Sequence, residues 1–233
     1  MKKVLLAVVF IAFAIQANAQ VSRFLDYGKS GLGIQGTTAM GEGYYGFGGS
    51  LGGSINGKLD VELSYSYNTD LKDYHSLTTD KANYGYYAGK LTYWIFREAI
   101  SPVVDVNFGV NGLVEYGSYK DYRYINSGTG LEREYKGFIG GTVGFDASVN
   151  FRMKNGWNLQ PGLLVGFNFG NENETEGTTD FNYWYHGMES DLTLALIKRY
   201  SNGNAFYAMA HQAAWTYNTY FFYLISVGYI FAL

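Results

Sequence analysis

Three histidines, His75, His186 and His211, are the side chains best suited by type to catalysis or metal binding. Acidic residues also occur in the same parts of the chain, namely Asp70, Asp73, Asp80 and Glu189. None of the histidines has the spacing of a metal-ligand pair on a helix or hairpin, and no serine nucleophile motif accompanies them. We therefore interpret them as polar loop or strand residues, and we predict no catalytic residue, no metal site and no cofactor.

The polar segment Ser118–Lys136 mixes tyrosines with basic residues. Tyrosine and arginine are favoured at binding surfaces, and loops held by a rigid scaffold often carry function. The segment is thus a candidate for recognition of an unknown surface ligand, through Tyr119, Tyr122, Arg123, Tyr124 and Arg133. The alternative is that its tyrosines only pack on one another.

Charged residues also alternate with apolar ones in several segments: Lys58, Asp60, Glu62, Lys90, Asp105, Glu115, Asp146, Glu189 and Asp191. Side chains two residues apart on a β-strand share a face, so these charges would lie opposite the apolar set. Acids outnumber bases among them. Such a face could line a path that prefers cations, or form a network of ion pairs and hydrogen bonds that makes the interior of the protein rigid.

The same alternation predicts ten β-strands. Their bounds are Gly31–Ala39, Tyr44–Ile55, Lys58–Thr69, Tyr84–Phe96, Val103–Gly117, Gly137–Phe151, Trp157–Gly170, Glu189–Lys198, Ala205–Trp215 and Tyr220–Leu233. The dipeptides Asn56-Gly57, Asn155-Gly156 and Asn202-Gly203 mark tight turns. The long polar connections, 70–83, 118–136 and 171–185, all follow odd-numbered strands. Short turns on one rim and long loops on the other are typical of an outer-membrane barrel.

The last strand, Tyr220–Leu233, places apolar or aromatic residues at every second position from Phe221 onward. As a free edge in water it would promote aggregation, whereas pairing with the first strand would close a barrel in lipid. Other outward aromatics lie near predicted strand ends and suggest interfacial girdles: Tyr45, Tyr65, Tyr67, Tyr93, Tyr116, Trp157, Tyr223 and Phe231. A soluble sandwich with an aromatic core is the alternative, but it would not sort its loops by rim.

The N-terminus has the pattern of a secretory signal peptide. Lys2 and Lys3 precede an apolar run of about 12 residues, which is too short for a spanning helix, and Ala17-Asn18-Ala19 is a cleavage site. We predict that residues 1–19 are removed and that residues 20–233 form one domain, with Val21–Ser30 left unassigned. With no cysteine there is no disulfide or thiolate site, and scattered Lys and Arg residues exclude a nucleic-acid partner.

In its export signal, alternating strands and aromatic last strand, residues 20–233 resemble small bacterial outer-membrane β-barrel proteins. That resemblance implies an all-β, antiparallel, up-and-down transmembrane barrel, most simply of ten strands, with eight as the alternative. The last residue of such proteins is most often phenylalanine, whereas here it is Leu233, with Phe231 two positions earlier. In a barrel this small the charged interior set is more simply a rigid network than a path.

The resemblance also implies location in the outer membrane of a Gram-negative bacterium, with outer-membrane lipid and the barrel-assembly machinery, recruited through Tyr220–Leu233, as partners. We predict a non-enzymatic role: structural, surface-binding or porin-like with a narrow pore. The alternative is a barrel enzyme acting on lipid or peptide at the extracellular rim. The His/Asp and His/Ser arrangements of such enzymes do not match this chain residue by residue.

Overall fold

A closed antiparallel β-barrel accounts for nearly the whole described chain. The computed structural model describes residues 24–25, 28–41, 44–70, 83–120, 123–125, 130, 132–215 and 220–233. The strands are β1 (Gly31–Gly41), β2 (Tyr44–Ile55), β3 (Leu59–Asp70), β4 (Asn83–Ser101), β5 (Val104–Lys120), β6 (Arg123–Ile125), β7 (Glu132–Arg152), β8 (Trp157–Glu176), β9 (Thr179–Arg199), β10 (Ala205–Trp215) and β11 (Tyr220–Ala232).

Ten of these strands form the wall, because the three-residue β6 pairs with the start of β7 beyond the point where β5 and β7 meet. Each wall strand pairs with its neighbours along the chain, and β1 pairs with β11 over eleven residue positions, from Gly31 opposite Ala232 to Gly41 opposite Phe222. The predicted ten-stranded barrel and its closing pair are confirmed. The eight-stranded alternative is wrong.

Asparagine and glycine form the tight turns at one rim of the barrel, here called the turn rim. The start of β1 and the end of β11 also lie at this rim. Asn56 and Gly57 have φ of 52° and 60°, and Asn155 and Gly156 have φ of 59° and 73°. Positive φ at both central residues is the geometry that suits the twist of a hairpin, and asparagine and glycine adopt it most readily. The opposite rim, here called the loop rim, carries the two longest connections, residues 71–82 between β3 and β4 and residues 121–131 between β5 and β7, although two residues suffice there to join β1 to β2 and β8 to β9.

The barrel has apolar residues outside and polar residues inside. Strand residues facing outward are exposed and apolar or aromatic, including Leu51, Leu63, Leu91, Val114, Val143, Phe167, Leu192, Leu194, Ile225 and Val227. Residues facing inward are mostly polar and buried, including Ser50, Thr92, Asn111, Thr142, Gln160 and Ser226. This inverted distribution is that of a barrel whose outer surface contacts lipid.

The predicted loops are partly strands, and these predictions were wrong. The segment 171–185 forms the ends of β8 and β9 around a turn at Gly177 and Thr178. The segment 118–136 contains the end of β5, all of β6 and the start of β7. Five wall strands therefore have 17–21 residues, whereas the other five have 11–13.

Several predicted features lie outside the described residues, among them the signal peptide, most of the loop 70–83 with His75, Asp73 and Asp80, and Tyr122. The side chains of Arg123, Tyr124 and the first three residues of β11 are also outside the description. Among the residues that the structure describes, no helix is long and apolar enough to cross a membrane.

Candidate functional site in the barrel interior and the projecting sheet

The structure places eight of the nine predicted interior charges on the inner face of the wall. Asp60, Glu62, Lys90, Glu115, Asp146 and Asp191 are buried there, and Asp105 and Glu189 are half-buried. Lys58 is the exception and corrects the prediction, because it is exposed in the turn between β2 and β3. A strand was predicted to begin at this lysine, but the turn geometry of Asn56 and Gly57 extends through it.

Donor groups from other strands, some of them not adjacent in the barrel, reach the buried carboxylates. Trp94 Nε1 donates to Asp60 Oδ2 at 3.0 Å, and Asn168 Nδ2 donates to Glu115 Oε1 at 3.1 Å. The Tyr86 hydroxyl also donates to Glu115, and Lys90 Nζ lies 3.9 Å from Asp146 Oδ2. Buried charges that are paired and hydrogen-bonded are tolerated, whereas isolated ones are very costly. These hydrogen bonds and this ion pair thus form a network that joins strands across the barrel interior.

A second network spans the closing seam of the barrel. Asp191 Oδ2 lies 3.2 Å from His211 Nδ1, and His211 Nε2 lies 3.4 Å from Ser226 Oγ. Ser226 Oγ in turn lies 3.0 Å from Thr37 Oγ1 on β1. The chain of contacts therefore runs from β9 through β10 and β11 to β1, and it fastens the last strand to the first from inside.

The order acid–histidine–serine in that chain is the order of a hydrolytic triad, an arrangement that the sequence motifs did not indicate. A nucleophile must meet its substrate, but Ser226 is 0% exposed and its hydroxyl is shared with Thr37. His186 does not join the site, because it is exposed on the outer face and stacks on Phe167 at 6.1 Å between ring centroids. In this geometry the three residues act as a structural hydrogen-bond chain.

Beyond the apolar band, β7, β8 and β9 continue as an extension, residues 132–137, 171–176 and 179–185, here called the projecting sheet. The short β6 pairs with the free edge of β7 in this extension. The strands of the projecting sheet carry polar side chains on the inner face, where Glu174 lies opposite Tyr135, Glu176 lies opposite Arg133, and Glu172 is the next residue of β8 on that face. On the outer face Trp184 is 79% exposed. The sheet thus presents an acidic, aromatic surface above the mouth of the barrel.

Arg133 lies at the centre of contacts in the projecting sheet. Its guanidinium pairs with Glu174 at 3.2 Å and with Glu176, donates to the Tyr183 hydroxyl at 2.7 Å, and lies 4.8 Å from the centroid of the Phe181 ring. Carboxylates and ring faces are the two kinds of group that attract a guanidinium. The predicted recognition residue Arg133 is therefore held by the protein's own acids and rings.

Tyr119, another predicted recognition residue, is half-buried in an aromatic cluster. Its ring stacks on Tyr84 with 4.9 Å between centroids and meets Tyr135 edge-on at 4.5 Å. Phe138 lies 6.3 Å from the same ring. For Tyr119 the alternative that tyrosines pack on one another describes the observed contacts. The cluster ties β4, β5 and β7 together at the mouth of the barrel.

Gly137 sets which face of β7 contributes to the projecting sheet. The register of β7 against β8 shifts between Tyr135 and Gly137, and Gly137 has φ of 154°. A Cβ at this position would lie 2.2 Å from the carbonyl oxygen of Gly117, so only glycine fits without a shift of the backbone. Such a bulge re-aims the side chains beyond it. It turns Arg133 and Tyr135 toward the glutamates of β8.

Glu172 lies beyond the apolar band, and its protonation depends on burial. Burial raises the pKa of its carboxyl, a hydrogen bond from the Tyr135 hydroxyl lowers that pKa, and the charge of Glu174 raises it. Burial likewise raises the pKa of Tyr135, which keeps its phenol neutral and able to donate. Since the pKa of Glu172 is raised on folding, its contribution to stability falls as the pH rises through that pKa.

We expect Glu172→Gln to stabilise the projecting sheet at neutral pH, because the amide avoids the cost of a half-buried charge and still accepts from Tyr135. Hydrogen exchange of residues 172–185 should be slower in the variant than in the wild type at pH about 7. It should be the same in both at pH about 4, where the glutamate is mostly protonated. If Glu172→Gln slowed hydrogen exchange by the same factor at both pH values, the charge of Glu172 would not be the cause.

The residues Phe24 and Leu25, which the sequence left unassigned, lie inside the barrel at the turn rim. Both are buried in an apolar cluster with Ile197, Tyr207 and Ile230, and Phe24 stacks on Tyr207 with 4.1 Å between ring centroids. The carbonyl of Leu25 accepts from Arg97 at 3.0 Å and from Arg199 at 3.3 Å. Their adjacent large apolar side chains in a polar stretch were the sequence signal for such a contact.

Comparison with known proteins agrees with the fold. Over 91% of each chain, the structure matches the translocator domain of the autotransporter NalP from Neisseria meningitidis with a TM-score of 0.52 at 11% identity. The fold is that of a bacterial outer-membrane β-barrel. No protein-family model matches the sequence, and no curated protein is significantly similar to it.

Two further structures resemble the barrel less closely. The outer-membrane protease OmpT from Escherichia coli gives a TM-score of 0.44 at 8% identity, covering 88% of this chain and 94% of that one. The β domain of the Bordetella autotransporter BrkA gives a TM-score of 0.46 at 11% identity, covering 88% of this chain and 100% of that one. These likenesses extend over a translocator, a protease and an autotransporter domain.

Proposed function

We propose that this barrel is a non-enzymatic surface protein that binds a positively charged ligand on its projecting sheet, outside the cell. The observation that carries the proposal is the length of β7, β8 and β9, which have 21, 20 and 21 residues. A strand crosses the bilayer with about 9–11 residues. Each strand is therefore about ten residues longer than the membrane requires, and six or seven of its residues belong to the projecting sheet.

The direction of the sheet follows from the turns. Outer-membrane barrels have short turns in the periplasm and longer connections outside the cell. The projecting sheet lies at the loop rim, so it faces the surroundings of the cell. Ordering one residue costs about 1–2 kcal/mol of conformational entropy. A barrel whose role ended at the membrane surface would gain little from an ordered sheet beyond it. An ordered sheet at this place supports a binding role.

The chemistry of the sheet supports a cationic ligand. Glu172, Glu174 and Glu176 lie on its inner face among tyrosine and phenylalanine rings. Arg133 shows how a guanidinium is accommodated there, between Glu174 and the Phe181 ring. An incoming arginine or lysine side chain would use the same groups. A hydrolytic role is less well supported, because Ser226, the serine beside His211, is fully buried.

The test is binding of an arginine-rich peptide to the full-length protein in lipid nanodiscs, with a glutamate-rich peptide as the comparison. We expect Glu174→Gln to weaken binding about tenfold, since a hydrogen bond to a charged group is worth about 1.5–3 kcal/mol. Arg133→Gln should strengthen binding, because it releases the carboxylates that the protein's own guanidinium occupies.

Glu98→Gln is the matched control, since it removes one exposed negative charge near the turn rim, at the other end of the barrel. It should leave the affinity unchanged. Equal binding of both peptides, or weaker binding in Arg133→Gln, would contradict the proposal. Raising the salt concentration should weaken the specific binding, as expected for exposed charges.

A further inference from the structure

The projecting sheet has two edges, and the chain covers one of them with a strand of its own. A closed barrel has no edge, but a sheet that continues beyond the closed part has one on each side. On the β7 side, β6 pairs with residues 132–134, beyond the point where β5 and β7 meet. An added strand is therefore already part of this sheet.

The other edge is formed by β9. The last residue of β10 that pairs with β9 is Trp215, opposite Glu189, whereas β9 and β8 stay paired as far as Thr179 opposite Glu176. Among the described residues, none pairs with Thr179–Trp184 on the side away from β8. This stretch is here called the β9 edge. Since half of the residues in an antiparallel strand direct both N–H and C=O to a given side, it offers about three such pairs of groups to a further strand.

The β9 edge lacks the features that keep natural edge strands from pairing. It contains no lysine and no proline, and its register against β8 runs without a bulge. Its single charged residue is Asp180. Thr179, Phe181, Tyr183 and Trp184 are of types that favour strands. An edge of this kind is a template for pairing with another extended chain.

Aromatic side chains lie on both faces of the β9 edge. Phe181 and Tyr183 lie on the inner face with their rings nearly parallel and 6.3 Å between centroids. Trp184 lies on the outer face and is 79% exposed. When a peptide adds to a sheet edge, the backbone supplies affinity and alternate side chains supply specificity. One set of the peptide's side chains would lie beside Phe181 and Tyr183, and the other set beside Trp184.

The charge of the β8–β9 hairpin, residues 171–185, favours a basic partner. It contains four acidic residues and no lysine or arginine: Glu172, Glu174, Glu176 and Asp180. A second copy of this chain would bring two such hairpins edge to edge, and like charges across paired strands are destabilising. A strand with arginines at alternate positions would instead bring guanidiniums to the inner face, where Arg133 already lies 4.8 Å from the Phe181 ring centroid.

We propose that the β9 edge binds an extended basic peptide segment of another protein, which adds to the projecting sheet as a further strand. The inference rests on the proposed function for the sign of the ligand's charge, and it adds the conformation in which the ligand binds. It also assigns a role to the unprotected edge, which binding through side chains alone would not use.

The changes that test strand addition are made in the peptide, so folding of the barrel is not affected. A short peptide that alternates arginine and threonine is compared with two derivatives, one N-methylated at every arginine and one at every threonine. Binding to the full-length protein is measured in lipid nanodiscs. Because a strand directs alternate N–H groups to opposite sides, one derivative should lose affinity at least about tenfold and the other should stay within about twofold. Equal loss in both derivatives, or no loss in either, would overturn strand addition.

A peptide that alternates glutamate and threonine separates this inference from the proposed function. It should bind at least about tenfold more weakly than the arginine–threonine peptide, because its charge has the sign of the hairpin. If it bound equally well and N-methylation still acted on one set of residues, the preference for positive charge would be wrong and strand addition would stand. If neither peptide bound, both proposals would be wrong.

Hydrogen exchange locates the added strand. With the arginine–threonine peptide bound, the amides of the β9 edge that point away from β8 should exchange at least about tenfold more slowly. Residues 132–134 are the control, because β6 already covers their edge, and their exchange should not change. Protection of the β9 edge without peptide, together with a dimeric mass in light scattering, would overturn the proposal in favour of pairing between two copies.

Discussion

Deletion of Tyr229–Leu233 is expected to abolish assembly of the barrel in the membrane. These residues form the turn-rim end of β11, where Tyr229 to Ala232 pair with Ile34 to Gly31 of β1. Ile230 also packs, fully buried, in the cluster with Phe24 and Leu25. Without them the first residues of β1 would present unpaired N–H and C=O groups to lipid, at several kcal/mol for each group.

The remaining seam would be too short to compensate. The polar chain from His211 through Ser226 to Thr37 would stay, but it joins the strands only near the middle of the seam. Assembly is measured by heat-dependent gel mobility and by resistance to carbonate extraction. A truncated protein that still assembles normally would show that β11 does not close the barrel.

Leu233→Ala tests closure of the barrel separately from the predicted recruitment of the assembly machinery through Tyr220–Leu233. Leu233 is 77% exposed, and its backbone N–H donates to Ser30, a contact that alanine keeps. Closure of the barrel should therefore survive this substitution in vitro, during refolding into lipid vesicles. Failure of Leu233→Ala in cells but not in vesicles would assign the terminal residue to recognition, while the five-residue deletion should fail in both.

Lys90→Met is expected to destabilise the barrel by about 3–5 kcal/mol, the usual cost of removing one partner from a buried ion pair. Lys90 is buried, lies 3.9 Å from Asp146 Oδ2 and pairs in register with Glu62. Methionine fills a similar volume but leaves both carboxylates without the lysine charge. Denaturant unfolding in lipid vesicles measures the change in the free energy of unfolding.

Two further variants give this prediction its controls. Lys58→Met removes a lysine that is exposed in the β2–β3 turn, so it should change stability little. Adding Asp146→Leu to Lys90→Met should recover part of the loss, because it removes one of the two carboxylates that lose the lysine charge. A Lys90→Met protein as stable as Lys58→Met would show that the interior charges do not form the network that joins strands across the barrel interior.

The wall within the membrane could be predicted from sequence because lipid and a polar interior impose opposite demands on alternate residues. The bounds of β2 were correct to the residue, and those of β10 also, since turns at Asn56-Gly57 and Asn202-Gly203 end the pattern clearly. Lys58 was misplaced because its parity matched the interior face, although it belongs to the turn itself.

The projecting sheet could not be predicted in the same way. Beyond the membrane neither face of a strand contacts lipid, so both faces can be polar, and residues 171–185 lose the alternation and look like an acidic loop. The remaining signals were the β-formers Thr175, Phe181 and Tyr183 around a turn at Gly177, which has φ of 61°. Because these strand-forming residues do not alternate with polar ones, the polar composition of 171–185 indicated a loop.

The acid–histidine–serine chain was missed for a different reason. Its members are 20 and 15 residues apart, spacings that match no catalytic motif. The pairing of the strands brings them together instead. His211 lies opposite Thr193 and Leu224. Asp191 is two residues from Thr193, and Ser226 is two residues from Leu224, so both share the face of His211. The Asn202-Gly203 turn could have predicted the first contact, but the connection between β10 and β11 carries no comparable turn signal.

The central claim is that the loop rim, with its projecting sheet, lies outside the cell and that the turn rim lies in the periplasm. The most direct test is to measure on which side of the membrane each rim can be labelled. Because the chain has no cysteine, Thr178→Cys in the β8–β9 turn and Ser201→Cys in the β9–β10 turn each introduce one exposed thiol. A membrane-impermeant maleimide added to intact cells should label Thr178→Cys at once. It should label Ser201→Cys only after the outer membrane is permeabilised. Labelling of Ser201→Cys but not Thr178→Cys in intact cells would contradict a projecting sheet displayed outside the cell.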